Sequence, residues 1–224
     1  MQDDLETGIE GPDPAGPSPF ARVFVAGERG GESRRDAVAL RMALAAGAET
    51  VTVGEDADLL VTGATDEVEG ARCPVAVAPR GLAERGGYEL RRIDVGIDGG
   101  RGAAAALAVA GRLALAHDAR LRAIAIAAPG SALDGVARQA DPREVERLAG
   151  RLEHATAALT GVWAETELRE GPVARVIVDF ARQADLLVLG SRAGYGNAGR
   201  VVLGEVAARV LGAAACPTLI VPAP

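Results

Sequence analysis

The chain has 224 residues, with 24 basic and 31 acidic side chains and a formal net charge of −7; every base is Arg, because the sequence contains no Lys. That excludes a phosphate-binding P-loop lysine, a Schiff base and a pyridoxal-phosphate anchor, and the acidic balance argues against a sequence-independent grip on nucleic acid. Hydrophobics at 49% supply enough apolar material for a core, no apolar run reaches the roughly 18 residues that span a bilayer, and no leader pattern opens the chain, so a cytoplasmic protein with no membrane contact is expected.

Residues 1–19 carry Asp3, Asp4, Glu6, Glu10 and Asp13, several prolines and no base. Such a segment buries too little apolar area to offset its ordering entropy, and a solvated, disordered tail is expected. Strands are then expected at Arg22–Ala26, Thr50–Val53 and Ala57–Gly63, with a helix over Ser33–Ala46.

The segment Ala57-Asp58-Leu59-Leu60-Val61-Thr62-Gly63 recurs as Ala184-Asp185-Leu186-Leu187-Val188-Leu189-Gly190, and the runs opened by Cys73-Pro74 and Cys216-Pro217 also match. The chain therefore contains two related copies, residues 20–87 and 88–224. Ala57 to Cys73 spans 16 positions and Ala184 to Cys216 spans 32, so the first copy is shortened.

In the second copy, Ile93, Val95 and Ile97 alternate with Asp94, Gly96 and Asp98 as a strand entering a glycine turn. Ala103, Ala106, Leu107, Ala110, Leu113 and Ala114 recur at helical spacing, and Leu121–Ala127 has strand length. Asp141-Pro142-Arg143-Glu144 is a helix start, with an N-cap oxygen, proline at the first position and a capping-box glutamate; that helix is expected to run to about Thr160. A strand at Val162–Leu168, a helix from Gly171-Pro172 through Gln183, a strand at Asp185–Leu189, a helix over about Arg200–Ala213 and a last strand at Thr218–Val221 follow. Strands alternating with helices imply an α/β fold, an open five-stranded, mostly parallel sheet covered on both faces. The first copy lacks a counterpart of the helix–strand–helix at 141–183.

Ligands of open α/β sheets bind where the strand order reverses, beyond the carboxyl ends of the strands. The loop after the fourth strand, Gly190 to Arg200, is glycine-rich, and glycines let backbone amides approach a phosphate closely. Gly194-x-Gly196-x-x-Gly199 spells the dinucleotide fingerprint, but it follows the fourth strand, and Leu219, Ile220 and Val221 stand where a ribose-binding acid belongs. Ser191 lacks the glycine two residues upstream that a nucleophile elbow needs, because position 189 is Leu. His117 and His154 lie within helices, and with Cys73 and Cys216 they are too scattered for a zinc site. No nucleophile–base pair is visible.

The stretches Ile93–Gly99, Ala184–Ser191, Gly194 with Gly204 ten residues on, and Cys216–Val221 resemble a universal stress protein domain, and the whole chain resembles the tandem form of that family. The resemblance implies a Rossmann-like fold of the adenine nucleotide alpha hydrolase type, with ATP or AMP lying across the first and fourth strands. It places Gly96 and Asp98 at the adenosine side, gives the main chain of Ile126 to the adenine, and makes Gly190, Ser191, Gly194 and Gly204 a phosphate cradle. Two departures stand out: Ala193 is inserted in the cradle, and Glu205 occupies the place of a phosphate-contacting hydroxyl. Arg192 and Arg200 are candidates to offset that negative charge.

The first copy has no phosphate glycines after Gly63, and its Gly27–Gly31 loop is read as a relic. Cys73 and Cys216, each ahead of proline at a strand entrance, are expected to pack and not to form a disulfide. In the family the last strand pairs across a dimer interface; here Val75–Ala78 and Thr218–Val221 are expected to pair within one chain as an internal pseudo-dimer, with a further homodimer left open. The expected function is a stress-response binding or regulatory module for ATP or AMP. The alternatives are a scaffold of the same fold with a closed pocket, and a slow ATP hydrolase using Mg²⁺ held by Asp98.

Overall fold

Every apolar run expected as a strand contributes to one sheet. The computed structural model describes residues 18–27, 31–45, 48–51, 57–85, 88–129, 139–192 and 199–224. The acidic tail up to residue 17, Thr52 and Val53, residues 28–30 of the glycine loop, and the insertion Ala193 with Gly194 lie outside the described residues.

The elements are β1 (Arg22–Val25), α1 (Glu32–Leu44), β2 (Glu49–Thr50), β3 (Leu59–Thr62), β4 (Val75–Val77), β5 (Arg92–Gly96), α2 (Arg101–His117), β6 (Arg120–Ala127), α3 (Pro142–Ala157), β7 (Ala164–Glu170), α4 (Val173–Phe180), β8 (Leu186–Gly190), α5 (Glu205–Leu211) and β9 (Thr218–Val221). The sheet order is β2-β1-β3-β4-β9-β8-β5-β6-β7. All neighbours are parallel except β4 and β9, where Val75, Ala76 and Val77 face Ile220, Leu219 and Thr218. Left apart, each strand would expose a row of unpaired N–H and C=O groups. Paired, both are buried along their whole length, and the five strands of residues 88–224 join four from residues 20–87 in one nine-stranded sheet, through the pairing the sequence led us to expect. Extending this register puts Cys73 opposite position 222 and Cys216 opposite 79, at opposite ends of the seam, and both thiols are free.

The matching segments are held by matching bonds. The Asp58 carboxylate accepts from the Arg22 N–H at 3.1 Å, and Asp185 accepts from Arg92 at 2.8 Å. The Leu60 N–H donates to the Pro74 carbonyl, and Leu187 donates to Pro217. The helix–strand–helix that residues 20–87 lack belongs, in residues 88–224, to the edge strand β7. Losing an edge strand leaves every other ladder intact, which is why the shortened stretch still forms a sheet.

Two apolar layers cover the sheet, and each mixes residues from both stretches. One joins Leu40, Leu44 and Val61 to Ile93, Leu107 and Leu121, beneath α1, α2 and α3. The other joins Val68, Val75 and Val77 to Ile177, Leu189 and Val210, beneath α4 and α5. All six α2 residues expected on the core face are buried. Asp36 of α1, itself buried, ties down the join by accepting from the Gly81 and Ala83 N–H groups at 2.9 and 2.8 Å.

Helix α3 begins as its sequence dictates, with Asp141 accepting from the Arg143 N–H and Pro142 at the first helical position. Glu144 does not close the capping box; it pairs with Arg147 one turn on. Gly150 lies in the interior of this helix, exposed, with open space where a Cβ would stand. Gly150→Ala is therefore expected to stabilise the protein by about 0.5–1 kcal/mol, read as a raised urea midpoint.

The main departure from expectation is the helix placed over 200–213. Only Glu205–Leu211 is helical. Residues 199–203 are not helical because their backbone groups bond elsewhere: Gly199 N–H to Ala223 O, Val201 N–H to Ala71 O, and Val202 O from Arg192 N–H. The helix expected to reach Gln183 ends at Phe180 and tightens into a 3₁₀ turn over Ala181–Gln183, and α3 stops at Ala157, short of Thr160.

Candidate functional site

Strand order reverses between β8 and β5, and a cavity of about 340 Å³ opens beyond their carboxyl ends. Gly96, Asp98, Ile126, Gly190, Ser191, Gly204 and Glu205 all line it. Gly194, the remaining expected site residue, lies outside the described residues.

Ile126 owes its place to strand lengths. The β5–β6 register ends at Gly96 opposite Ile124, followed by one more bond from the Ile97 N–H to the Ile124 carbonyl at 2.8 Å, while β6 continues to Ala127. Backbone groups alternate sides along a strand. Those of Ile126 thus point to the β5 side just where β5 has ended, and they face the cavity. Ile97, Val173, Ile177 and Leu189 supply apolar walls. The α4 contribution, Val173 and Ile177, went unmarked in the sequence, and its only signal was the Gly171-Pro172 helix start after β7.

The glycines act by close approach. A Cβ on Gly96 would stand 2.9 Å from Leu189 Cδ2. One on Gly190 would lie 2.2 Å from the Gly102 carbonyl carbon, and one on Gly102 would lie 2.2 Å from the Ser191 carbonyl oxygen. The end of β8 and the start of α2 therefore touch backbone to backbone and form the floor of the cavity. Asp98 is exposed, and its Oδ1 accepts from the Gly100 N–H at 2.7 Å in a local turn. No group of three or more metal-capable side chains occurs among the described residues.

Ser191 and Glu205 depart from the expected cradle. Ser191 is buried; its hydroxyl donates to the Arg200 carbonyl at 3.5 Å and accepts from the Ala223 N–H at 3.3 Å, and its own N–H donates to Val221 O at 2.7 Å. Both donors are already committed, the hydroxyl to the Arg200 carbonyl and the N–H to Val221 at the end of β9. Glu205, expected to set negative charge against phosphate, is 76% exposed and pairs with Arg209 one turn along α5 at 2.7 Å, so solvent screens it. Arg200 turns away to the Gly70 carbonyl, whereas the Arg192 side chain lies beside Gly204 at the cavity rim.

In the first stretch, polar side chains engage the corresponding strand ends. The Arg34 guanidinium donates to the Val25 and Gly27 carbonyls at 2.6 and 3.1 Å, just past the end of β1. The Thr62 hydroxyl donates to Glu67 beyond β3.

An ion pair joins β5 to β6 without lining the cavity. Asp94 of β5, with no exposed surface, accepts from Arg122 Nε of β6 at 2.8 Å in a two-pronged pair. Arg122 also donates to the Phe180 carbonyl at 3.2 Å and stacks 4.2 Å from that ring. Burial pushes the Asp94 carboxyl above its ordinary value, and the Arg122 hydrogen bond pulls it back. The alternation of β5 marks Asp94 as outward-facing, but both faces of this sheet are covered, so an interior acid needs a partner.

His117, in the last turn of α2, is half-buried, and its Nε2 is buried without a partner among the described residues. Burial lowers its pKa from 6.5, partly offset by the nearby Leu44 backbone. A lowered folded value means that protonation favours the unfolded chain, so stability is lost as pH falls through 6.5. Between pH 7 and 5.5, His117→Asn is expected to flatten the fall in urea midpoint relative to the parent protein; parallel curves would contradict this.

Comparison with known proteins agrees with the fold. A 66-residue stretch is 46% identical to a universal stress protein of Methanocaldococcus jannaschii, covering 29% of this chain and 38% of that protein. Over 141 residues the chain is 30% identical to a universal stress protein of Mycolicibacterium smegmatis, covering 57% of this chain and 46% of its relative. The chain spans under half the length of these curated relatives. The crystal structure of a universal stress protein from Archaeoglobus fulgidus DSM 4304 superposes with a TM-score of 0.56 at 16% identity, over 79% of this chain and 71% of the other, a likeness of fold. Residues 89–222 match the universal stress protein family itself, and the chain belongs to that family.

Proposed function

We propose that the cavity between β5 and β8 binds an adenine nucleotide, ATP or AMP, and that the chain is a stress-response regulatory module built on that site. The observation that carries this is the overhang of β6. It leaves the Ile126 backbone N–H and C=O facing a cleft with apolar walls, a donor–acceptor pair suited to the edge of adenine. Asp98 at the opposite lip suits ribose hydroxyls, and Arg192 supplies the cation for phosphate. On this reading residues 88–224 are a complete copy of the domain and 20–87 a shortened one, whose own cleft Arg34 has closed.

The test is calorimetric titration of the full chain with ATP, AMP and cyclic AMP. Saturable heat with at least one supports the proposal; no heat with any at millimolar ligand overturns it. Because Glu205 is solvated and paired, Glu205→Ser is expected to tighten ATP by only about fivefold at low salt, with the gain shrinking as salt rises. AMP, which keeps less charge near α5, is expected to gain less.

A second reading, a protein-interaction scaffold of the same fold, draws on one observation. The Ser191 N–H and O–H are both spent on internal bonds, which removes two donors from any phosphate.

A further inference from the structure

The connection between β3 and β4 is half as long as that between β8 and β9, and where the longer one forms α5 the shorter forms only a 3₁₀ turn, Thr65–Glu67. The next residues lie against the descending limb of the cavity loop, residues 199–204. The Gly70 N–H donates to Val201 O at 2.9 Å, and the Val201 N–H donates to Ala71 O at 2.8 Å, a reciprocal pair. The Leu203 N–H donates to Glu69 Oε2 at 2.9 Å. Val201 has no exposed surface and shares an apolar cluster with Val68. One residue past Leu203 stands Gly204, which lines the cavity.

Building on the nucleotide reading, we propose that Glu69–Ala71 is a positioning clamp: it fixes 199–204 in place, so that Gly204 and the start of α5 stand at the cavity before a ligand arrives. Residues 199–203 lead into α5 without forming helix or sheet of their own. A limb of that kind, left free, loses backbone entropy when a ligand orders it, and a limb already ordered spares the ligand that loss. The shortened N-terminal stretch thereby gains a role at the cleft of its neighbour. Glu69 is the one member that acts through its side chain, so substitution can remove it without touching the cavity.

The experiment compares the full chain with Glu69→Ala and Glu69→Gln. Three quantities are measured: AMP affinity by calorimetry, amide hydrogen exchange across 199–204, and thermal unfolding to confirm that each variant is folded. Glu69 is exposed, so the fold should be retained. The clamp predicts that Glu69→Ala weakens AMP about tenfold and speeds exchange at Leu203, while Glu69→Gln, which keeps an acceptor, stays near the parent protein in both. Unchanged affinity in Glu69→Ala overturns the proposal whether or not exchange changes. If the parent chain binds none of the nucleotides, the functional reading fails separately, and the clamp is judged on exchange alone: faster exchange at Leu203 in Glu69→Ala supports it, and unchanged exchange overturns it.

Discussion

Arg122→Met is expected to destabilise the protein by about 3–5 kcal/mol, because it strips the partner from a carboxylate with no exposed surface. Arg122 meets both Asp94 oxygens, caps the Phe180 carbonyl and lies over the Phe180 ring. Its loss therefore leaves a charge, a carbonyl and an aromatic face without their partner. The variant's carboxyl would escape by taking up a proton, so its deficit should shrink as pH falls. Asp94→Leu combined with Arg122→Met should recover most of the loss, since replacing a whole buried pair by apolar groups is often close to neutral. Urea unfolding of both variants gives the answer. A single-variant loss below about 1 kcal/mol would mean that water reaches Asp94.

Gly190→Ala is expected to cost at least about 3 kcal/mol, at the upper end of overpacking effects. Its Cβ would meet the backbone of Gly102 and Ala103 at 2.2 to 2.5 Å. Those atoms belong to the first turn of α2, where no flexible side chain can give way. Helix and strand must separate, and because their contact is the cavity floor, ligand affinity should fall together with stability. Gly150→Ala, a glycine replaced in open space, is the matched control and should move stability the other way. Circular dichroism melts of the two variants provide the check, and Gly190→Ala unfolding within a degree or two of the parent would contradict the packing described.

The core-facing helices could be read from the chain because their apolar residues recur with the helical period; Ala103, Ala106, Leu107, Ala110, Leu113 and Ala114 of α2 are buried as that spacing implies. The strands could be read from alternation, and the repeated Asp58 and Asp185 do the same structural task at the same place. What stayed hidden depends on partners distant in sequence. Val201-Val202-Leu203 suits a helix by composition, yet it is not helical, because Gly70 and Ala71, about 130 positions earlier, take the hydrogen bonds of Val201. Asp94 looked like the solvent side of a strand until Arg122 appeared beside it. Glu205 could be placed at the first turn of α5, but a residue type does not say where its carboxylate points; Arg209, four residues on, was the available signal. Ser191 resembled a phosphate ligand because the family pattern names its position. Its bonds to Arg200 and Ala223 exist only once the loop after β8 and the end of β9 have packed around it.

Backbone amide shifts of the full chain titrated with AMP would locate the proposed nucleotide across β5 and β8. The expected result is that the largest changes fall on Gly96–Asp98, Ile126 and Gly204, with none across residues 57–67. Shifts confined to another surface, such as the groove between α2 and α3 that Arg151 and His154 border, or no shifts at millimolar AMP, would contradict it.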